Sequence, residues 1–215
     1  MSKAVVLLSS GLDSTVNLYE AHQDVGVALA LFINYGQRAA LREEQMAKAS
    51  CEHLGIEFRS LDLKFIADFG GSSLTDSQKK LATNVEIDDL EASKISAKNV
   101  WVPNRNGILL NVAAGFAEAL GADFVIPGFN KEEAATFPDN SQDFLDAMSE
   151  SLGFSTANQV KAKCYTTGLL KPQIYRRALD LNVKTQFIWP CYESGEEHCK
   201  QCESCQRFYR AKAEA

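Results

Sequence analysis

The stretch that decides the fold is Ala4-Val5-Val6-Leu7-Leu8-Ser9-Ser10-Gly11-Leu12-Asp13-Ser14-Thr15. Its apolar first half reads as a buried strand, and residues 12–21 read as a helix. A strand that turns through small and hydroxyl-bearing residues into a helix leaves free backbone N–H groups at the helix start, where an anion can sit. The helix dipole adds about half a positive charge there. No Gly-x-x-x-x-Gly-Lys-Ser/Thr spacing occurs, so the turn is not a Walker A loop. Its hydroxyls and amides suit an anion nest, and Asp13 would repel a phosphate unless it holds a divalent cation or caps the helix. The same residues also read as an ordinary N-cap.

Outward from this turn, strand and helix alternate. Residues 25–33 form a near-continuous apolar run of strand length, the pattern of a strand buried on both faces of a parallel sheet. Residues 38–54 follow as a helix closed by Gly55, and residues 56–63 are a third strand candidate. Residues 70–99 lapse into a polar stretch headed by Gly70-Gly71-Ser72-Ser73, read either as a mobile flap beside a site or as a plain surface excursion. Helical spacing returns with Ile108, Leu109, Val112, Phe116, Ala119 and Leu120. Phe124-Val125-Ile126 is then a fourth strand, stopped by Pro127-Gly128. Residues 143–152 look helical, residues 160–166 read as a fifth strand, and a helix over 172–181 follows with Pro172 near its first turn. The expected fold is an open, mainly parallel α/β sheet flanked by helices, Rossmann-like. Ligands of such sheets bind beyond the carboxyl ends of the strands, so the loop over 128–141 should share a crevice with the Ser9–Ser14 turn.

The chain has 215 residues, 46% of them hydrophobic, enough for one substantial core. Its net charge of −6 argues against a nucleic-acid partner. No apolar run has membrane-spanning length and no secretory leader is evident, so a cytoplasmic location is expected.

Six cysteines are present. Cys51 and Cys164 stand alone, while Cys191, Cys199, Cys202 and Cys205 crowd together. Two-residue gaps let successive thiolates turn back on one ion, and four sulfurs make the closed shell of a structural zinc site. An iron–sulfur cluster is the competing reading. His198 reads as a solvated residue or one packed beside the ligands. The expected organisation is residues 1–185 as the sheet domain and residues 186–215 as a segment holding one Zn²⁺.

The pieces resemble the pyrophosphate-loop ATPases, and within them the 7-cyano-7-deazaguanine synthases, the QueC family of the queuosine pathway. Ser9-Ser10-Gly11-Leu12-Asp13-Ser14 is similar to Ser-Gly-Gly-x-Asp-Ser, with Ser10 where the family has glycine. Asn34-Tyr35-Gly36-Gln37-Arg38 resembles Asp-Tyr-Gly-Gln-Arg, and Val102-Pro103-Asn104-Arg105-Asn106 resembles Val-Pro-Ala-Arg-Asn. Phe137-Pro138-Asp139 resembles Tyr-Pro-Asp, and Trp189-Pro190-Cys191-Tyr192-Glu193 leads into the remaining cysteines. Asn34 and Ala39 replace an aspartate and a histidine, Asn140 and Ser141 replace the Cys-Arg that follows Tyr-Pro-Asp, and Lys171-Pro172-Gln173 stands where the family has Lys-x-Glu.

The resemblance implies ATP-dependent conversion of 7-carboxy-7-deazaguanine and ammonia to the nitrile, with Mg²⁺ and a homodimer. It places Leu8, Ser9, Ser10, Gly11, Leu12, Asp13, Ser14, Thr15, Val16, Asn17 and Leu18 around ATP, with Asp13, Ser14 and Arg105 catalytic. Tyr35, Gln37, Arg105, Phe137 and Asp139 fall to the substrate, Phe137 stacking on the flat base and Asp139 accepting from its N–H groups. Arg105 also reads as an exposed helix-start arginine, and Phe137 as a core residue in a plain turn. Two other readings are a ligase that joins a deazaguanine acid to another amine, such as a protein terminus, and a non-catalytic nucleotide-binding module. A tRNA-thiolation reading is disfavoured by the acidic charge.

Overall fold

The computed structural model describes residues 3–215. In chain order its elements are β1 (Ala4–Leu7), α1 (Leu12–Asp24), β2 (Val27–Asn34), α2 (Ala40–Leu54), β3 (Phe58–Asp62), α3 (Leu90–Val100), α4 (Arg105–Ala119), β4 (Phe124–Ile126), the single turn α5 (Lys131–Ala134), α6 (Gln142–Ser155), β5 (Lys161–Ala162), α7 (Lys171–Asp180) and α8 (Glu203–Glu214). The strands form one parallel sheet in the order β3-β2-β1-β4-β5. Val6 of β1 stands between Ala30 of β2 and Ile126 of β4. The strand order therefore reverses between β1 and β4, which opens a crevice at their carboxyl ends.

Apolar side chains bury both faces. Leu110, Ala113, Leu145 and Leu152 cover one side of the sheet, while Leu18, Ala47 and Cys51 cover the other. A third cluster joins α1 to α7 and α8 through Val16, Tyr19, Ile174, Tyr175 and Phe208, so the C-terminal helix packs against the helix that follows the first strand. Gly55 ends α2 at φ 68, the left-handed cap that its position predicts.

In two stretches the elements differ from those read in the sequence. The polar stretch over 70–99 contains α3, capped by Asp89, whose side chain accepts from the amides of Glu91 and Ala92. Its inward face is Ser93, Ser96, Ala97 and Val100, which has helical spacing carried mainly by small residues. The same stretch is tied to the C-terminal segment, with Asn84 N–H donating to Gln201 O at 2.8 Å and Val85 N–H to Gln206 Oε1 at 3.0 Å. The fifth strand, expected over 160–166, keeps only Lys161–Ala162. Beyond it Tyr165 N–H donates to Asn17 Oδ1 at 2.8 Å and Thr166 Oγ1 to Phe129 O at 2.6 Å, which draws the chain off the ladder toward α1.

Candidate active site and metal centre

The turn after β1 leaves its polar groups open. Gly11 is the N-cap of α1, and no side chain caps that end. Ser9 and Ser14 hydroxyls meet at 3.1 Å and brace the turn. Ser10 lies at φ 59, in the left-handed region that costs a side chain about 1–2 kcal/mol. A serine in an ordinary extended turn would have had negative φ; here it keeps the backbone of a glycine. It is fully buried, and its carbonyl accepts the N–H of Trp189 at 2.8 Å. Ser10 Oγ, Asp13 Oδ1 and Thr15 Oγ1 are buried without a hydrogen-bond partner among the described residues. Three orphaned oxygens at an uncapped helix start are a costly arrangement for a purely structural turn.

One cavity opens onto Leu8, Ser9, Gly11, Leu12, Asp13 and Ser14. The rest of the expected 8–18 run faces elsewhere. Val16 and Leu18 are fully buried in the core, and Asn17 donates to Thr166 Oγ1 at 2.6 Å, which fixes α1 against the chain after β5. From β4, Gly128 presses on the turn: a Cβ there would lie 2.4 Å from Ser14 N, so only glycine permits the approach. This is the shared crevice expected of the loop over 128–141.

Lys171, at the start of α7, falls in the stretch similar to Lys-x-Glu but was not among the expected site residues. Its buried ammonium is 2.5 Å from Asp13 Oδ2 and 2.8 Å from Glu133 Oε1. Asn130 Nδ2 donates to Asp13 Oδ2 at 3.0 Å, while its Oδ1 accepts from Glu133 N–H. Burial raises Asp13 to about 6 against the pull of Lys171, with Glu133 adding to the rise. One cation thus serves two carboxylates, and the free oxygen of Asp13 is the residue's only unsatisfied valence.

The opposite wall carries the other predicted residues. Arg105 is partly buried and lines the cavity rather than standing exposed; its Nη1 donates to Tyr35 Oη at 3.2 Å. Gln37 lines the cavity, but its amide is engaged: Oε1 accepts from Tyr35 N–H at 2.9 Å, and Nε2 donates to Ile33 O and, at 2.9 Å, to Glu43 Oε2. Phe137 lines the cavity with its ring nearly parallel to Trp101, at 6.1 Å between centroids. Asp139 does not line it; its Oδ1 accepts from Asn140 Nδ2 at 3.1 Å, and Asn140 is the neighbour that faces inward. Arg38 closes the turn from behind, pairing with Glu193 at 2.9 Å.

The four clustered cysteines bring their Sγ atoms within 4.8 Å of one another. The N–H groups of Cys199, Cys202 and Glu193 point at sulfur: Cys199 and Glu193 donate to Cys191 Sγ at 3.4 and 3.5 Å, and Cys202 to Cys199 Sγ at 3.3 Å. Lys200 at φ 61 makes the tight turn between two of the ligands. His198 stays outside the group, its ring 4.6 Å from that of Trp189 and its Nδ1 3.0 Å from Tyr209 Oη. The segment reaches the cavity as well, since Trp189, Tyr192, Glu203 and Arg207 all line it.

Such a sheet, with an open turn after β1 at the reversal of strand order, places the chain among the open parallel α/β folds. Solved structures share the fold: a U34-tRNA thiolase NcsA from Methanococcus maripaludis, described with its [4Fe-4S] cluster, aligns over 99% of this chain and 64% of that one with TM-score 0.51 at 17% identity. An NMN synthetase from Francisella tularensis aligns over 92% of this chain and 69% of that one with TM-score 0.50 at 16% identity. The family model described as queuosine biosynthesis protein QueC matches residues 3–215, and the chain belongs to that family. A relative from Bdellovibrio bacteriovorus named 7-cyano-7-deazaguanine synthase is 54% identical, covering 99% of this chain and 94% of its own. One from Carboxydothermus hydrogenoformans with the same name is 43% identical and covers 99% of each. Among the described residues no helix is long and apolar enough to cross a membrane.

Proposed function

We propose that this chain uses ATP and ammonia to turn 7-carboxy-7-deazaguanine into 7-cyano-7-deazaguanine. The observation that carries the reading is one cavity that joins the open turn after β1 to the Tyr35–Arg105 wall, in a chain 54% identical to a relative bearing the synthase name. A carboxylate is a poor electrophile because its leaving group is oxide. Attack of its oxygen on the α-phosphorus expels pyrophosphate and gives a mixed anhydride with AMP. Ammonia displaces AMP to form the amide. A second ATP adenylates the amide oxygen, and loss of AMP with two protons leaves the nitrile. Each activation demands in-line placement and charge neutralisation more than covalent help.

In this reading Ser9, Ser14 and the uncapped amides of α1 hold phosphate oxygens, all of them on the cavity side of the turn. Lys171 balances charge behind them. Asp13, with its free Oδ1, would hold Mg²⁺, which supplies charge neutralisation between phosphates. Arg105 takes a phosphate or the substrate carboxylate through its planar fork. Cys191, Cys199, Cys202 and Cys205 would hold one Zn²⁺ as a structural cross-link: Zn–S bonds of about 2.3 Å place tetrahedral sulfurs about 3.8 Å apart, and the Cys199 and Cys205 sulfurs are 3.9 Å apart. A four-iron cluster would spread its thiolates wider. A cytoplasmic homodimer completes the proposal.

Incubation with ATP, Mg²⁺, ammonium and the acid, followed by mass spectrometry, is expected to show AMP together with amide and nitrile. AMP without a deazaguanine product would refute the substrate, and no AMP would refute the enzyme. Asp13→Asn should lower AMP formation at least a hundredfold while the protein stays folded.

A further inference from the structure

Four carboxylates face the cavity: Asp13, Glu43, Glu133 and Glu203. Three of them have a cation, since Asp13 and Glu133 share Lys171 and Glu203 pairs with Arg207 at 2.7 Å. Glu43, in the first turn of α2, has none within ion-pairing distance among the described residues. Its Oε2 accepts a single amide hydrogen from Gln37, and among the described residues no hydrogen bond engages Oε1. Burial raises its carboxyl to about 7, with Gln37 and Arg105 pulling the other way. Gln37 is in turn fixed by Tyr35 N–H, so the carboxylate is aimed by the 34–38 turn rather than left to swing. Arg105, anchored on the Tyr35 hydroxyl, supplies the opposite charge on the same side of the cavity.

Such a wall suits a ligand with paired N–H donors at one end and a carboxylate at the other. We propose that Glu43 is the specificity residue that reads the base, accepting from a ring N–H and the adjacent amino group of the 2-aminopyrimidinone edge while Arg105 meets the acid. The proposal rests on the substrate reading given above. A carboxylate takes two parallel N–H donors at once. Adenine offers one donor beside a lone pair, which faces a carboxylate unfavourably. The acceptor role that the resemblance implies for Asp139 passes, in this proposal, to a residue that lines the cavity.

Calorimetric titration of the intact protein with 7-carboxy-7-deazaguanine, with the same acid lacking its 2-amino group, and with Mg-ATP tests the assignment. Glu43→Gln, whose amide oxygen still accepts from Gln37, is expected to weaken the acid at least tenfold, the acid without the amino group less than threefold, and ATP less than twofold. Glu43→Asp keeps the charge and should retain a preference for the 2-amino acid; thermal unfolding of both variants reports their folding. Equal affinity for the acid in Glu43→Gln and the unsubstituted protein would overturn the proposal. So would equal loss for both acids, loss of ATP binding instead, or an Asp variant with no preference. Failure of the unsubstituted protein to bind the acid at all would overturn the substrate reading beneath it.

Discussion

The turn after β1 and the cysteine segment are both polar clusters at the rim of the same cavity, and they are built in opposite ways. Around the cysteines, N–H groups already point at sulfur, and four sulfurs leave a bound ion no open position. Around the turn, three buried oxygens have no partner and the helix start has no cap. The closed cluster suits a fastening. The open one suits a ligand at Asp13, and its unmet hydrogen bonds are a standing cost to the folded state. Stability and turnover should therefore respond separately to changes in the two.

The sharpest test of that division is Cys202→Ser. It should abolish stoichiometric metal and cost on the order of 4 kcal/mol or more, because metal binding is folding free energy in such segments; metal analysis and denaturant unfolding read both. A variant that stays fully folded and metal-loaded yet loses turnover would reverse the roles assigned here. Next in size is Gly128→Ala. Its new methyl would meet Ser14 backbone at 2.4 Å, and overpacking of this kind costs about 1–3 kcal/mol. Because the clash falls on the turn itself, ATP binding measured by titration should weaken more than unfolding alone explains. Smallest is Ser10→Gly. Relief of the left-handed strain and of a buried unpaired hydroxyl should raise stability by about 1 kcal/mol, while a weaker affinity for ATP would show that the hydroxyl serves the ligand.

What could be read in the sequence follows from how local each signal is. The turn from Ser9 to Ser14 and the cysteine spacing are contiguous, so residue types alone carry their meaning. Lys171 completes the turn from a helix 158 residues further on; the resemblance marks Lys171-Pro172-Gln173 as a counterpart of Lys-x-Glu, but residue types alone do not announce its burial beside Asp13. Glu43 was hidden for a different reason: in a helix rich in Ala, Glu, Lys and Leu it looks like any solvated acid, and only the fold shows that it faces a cavity. The helix over Leu90–Val100 escaped because its buried stripe is mostly serine and alanine rather than leucine or valine. Its Asp89 cap was the signal available. The single β1–α1 junction fixed the sheet's class, but which strand stood beside β1 across the crevice depended on contacts no short window contains.

The bond from Trp189 N–H to Ser10 O has a bearing on how the protein is made. A ribosome releases residue 10 long before residue 189, so the strained turn emerges without the partner that holds its carbonyl. The cavity wall that includes Glu203 and Arg207 arrives later still. The turn after β1 and the cavity beside it are thus completed only when residues 189–207 fold back onto residues 8–14.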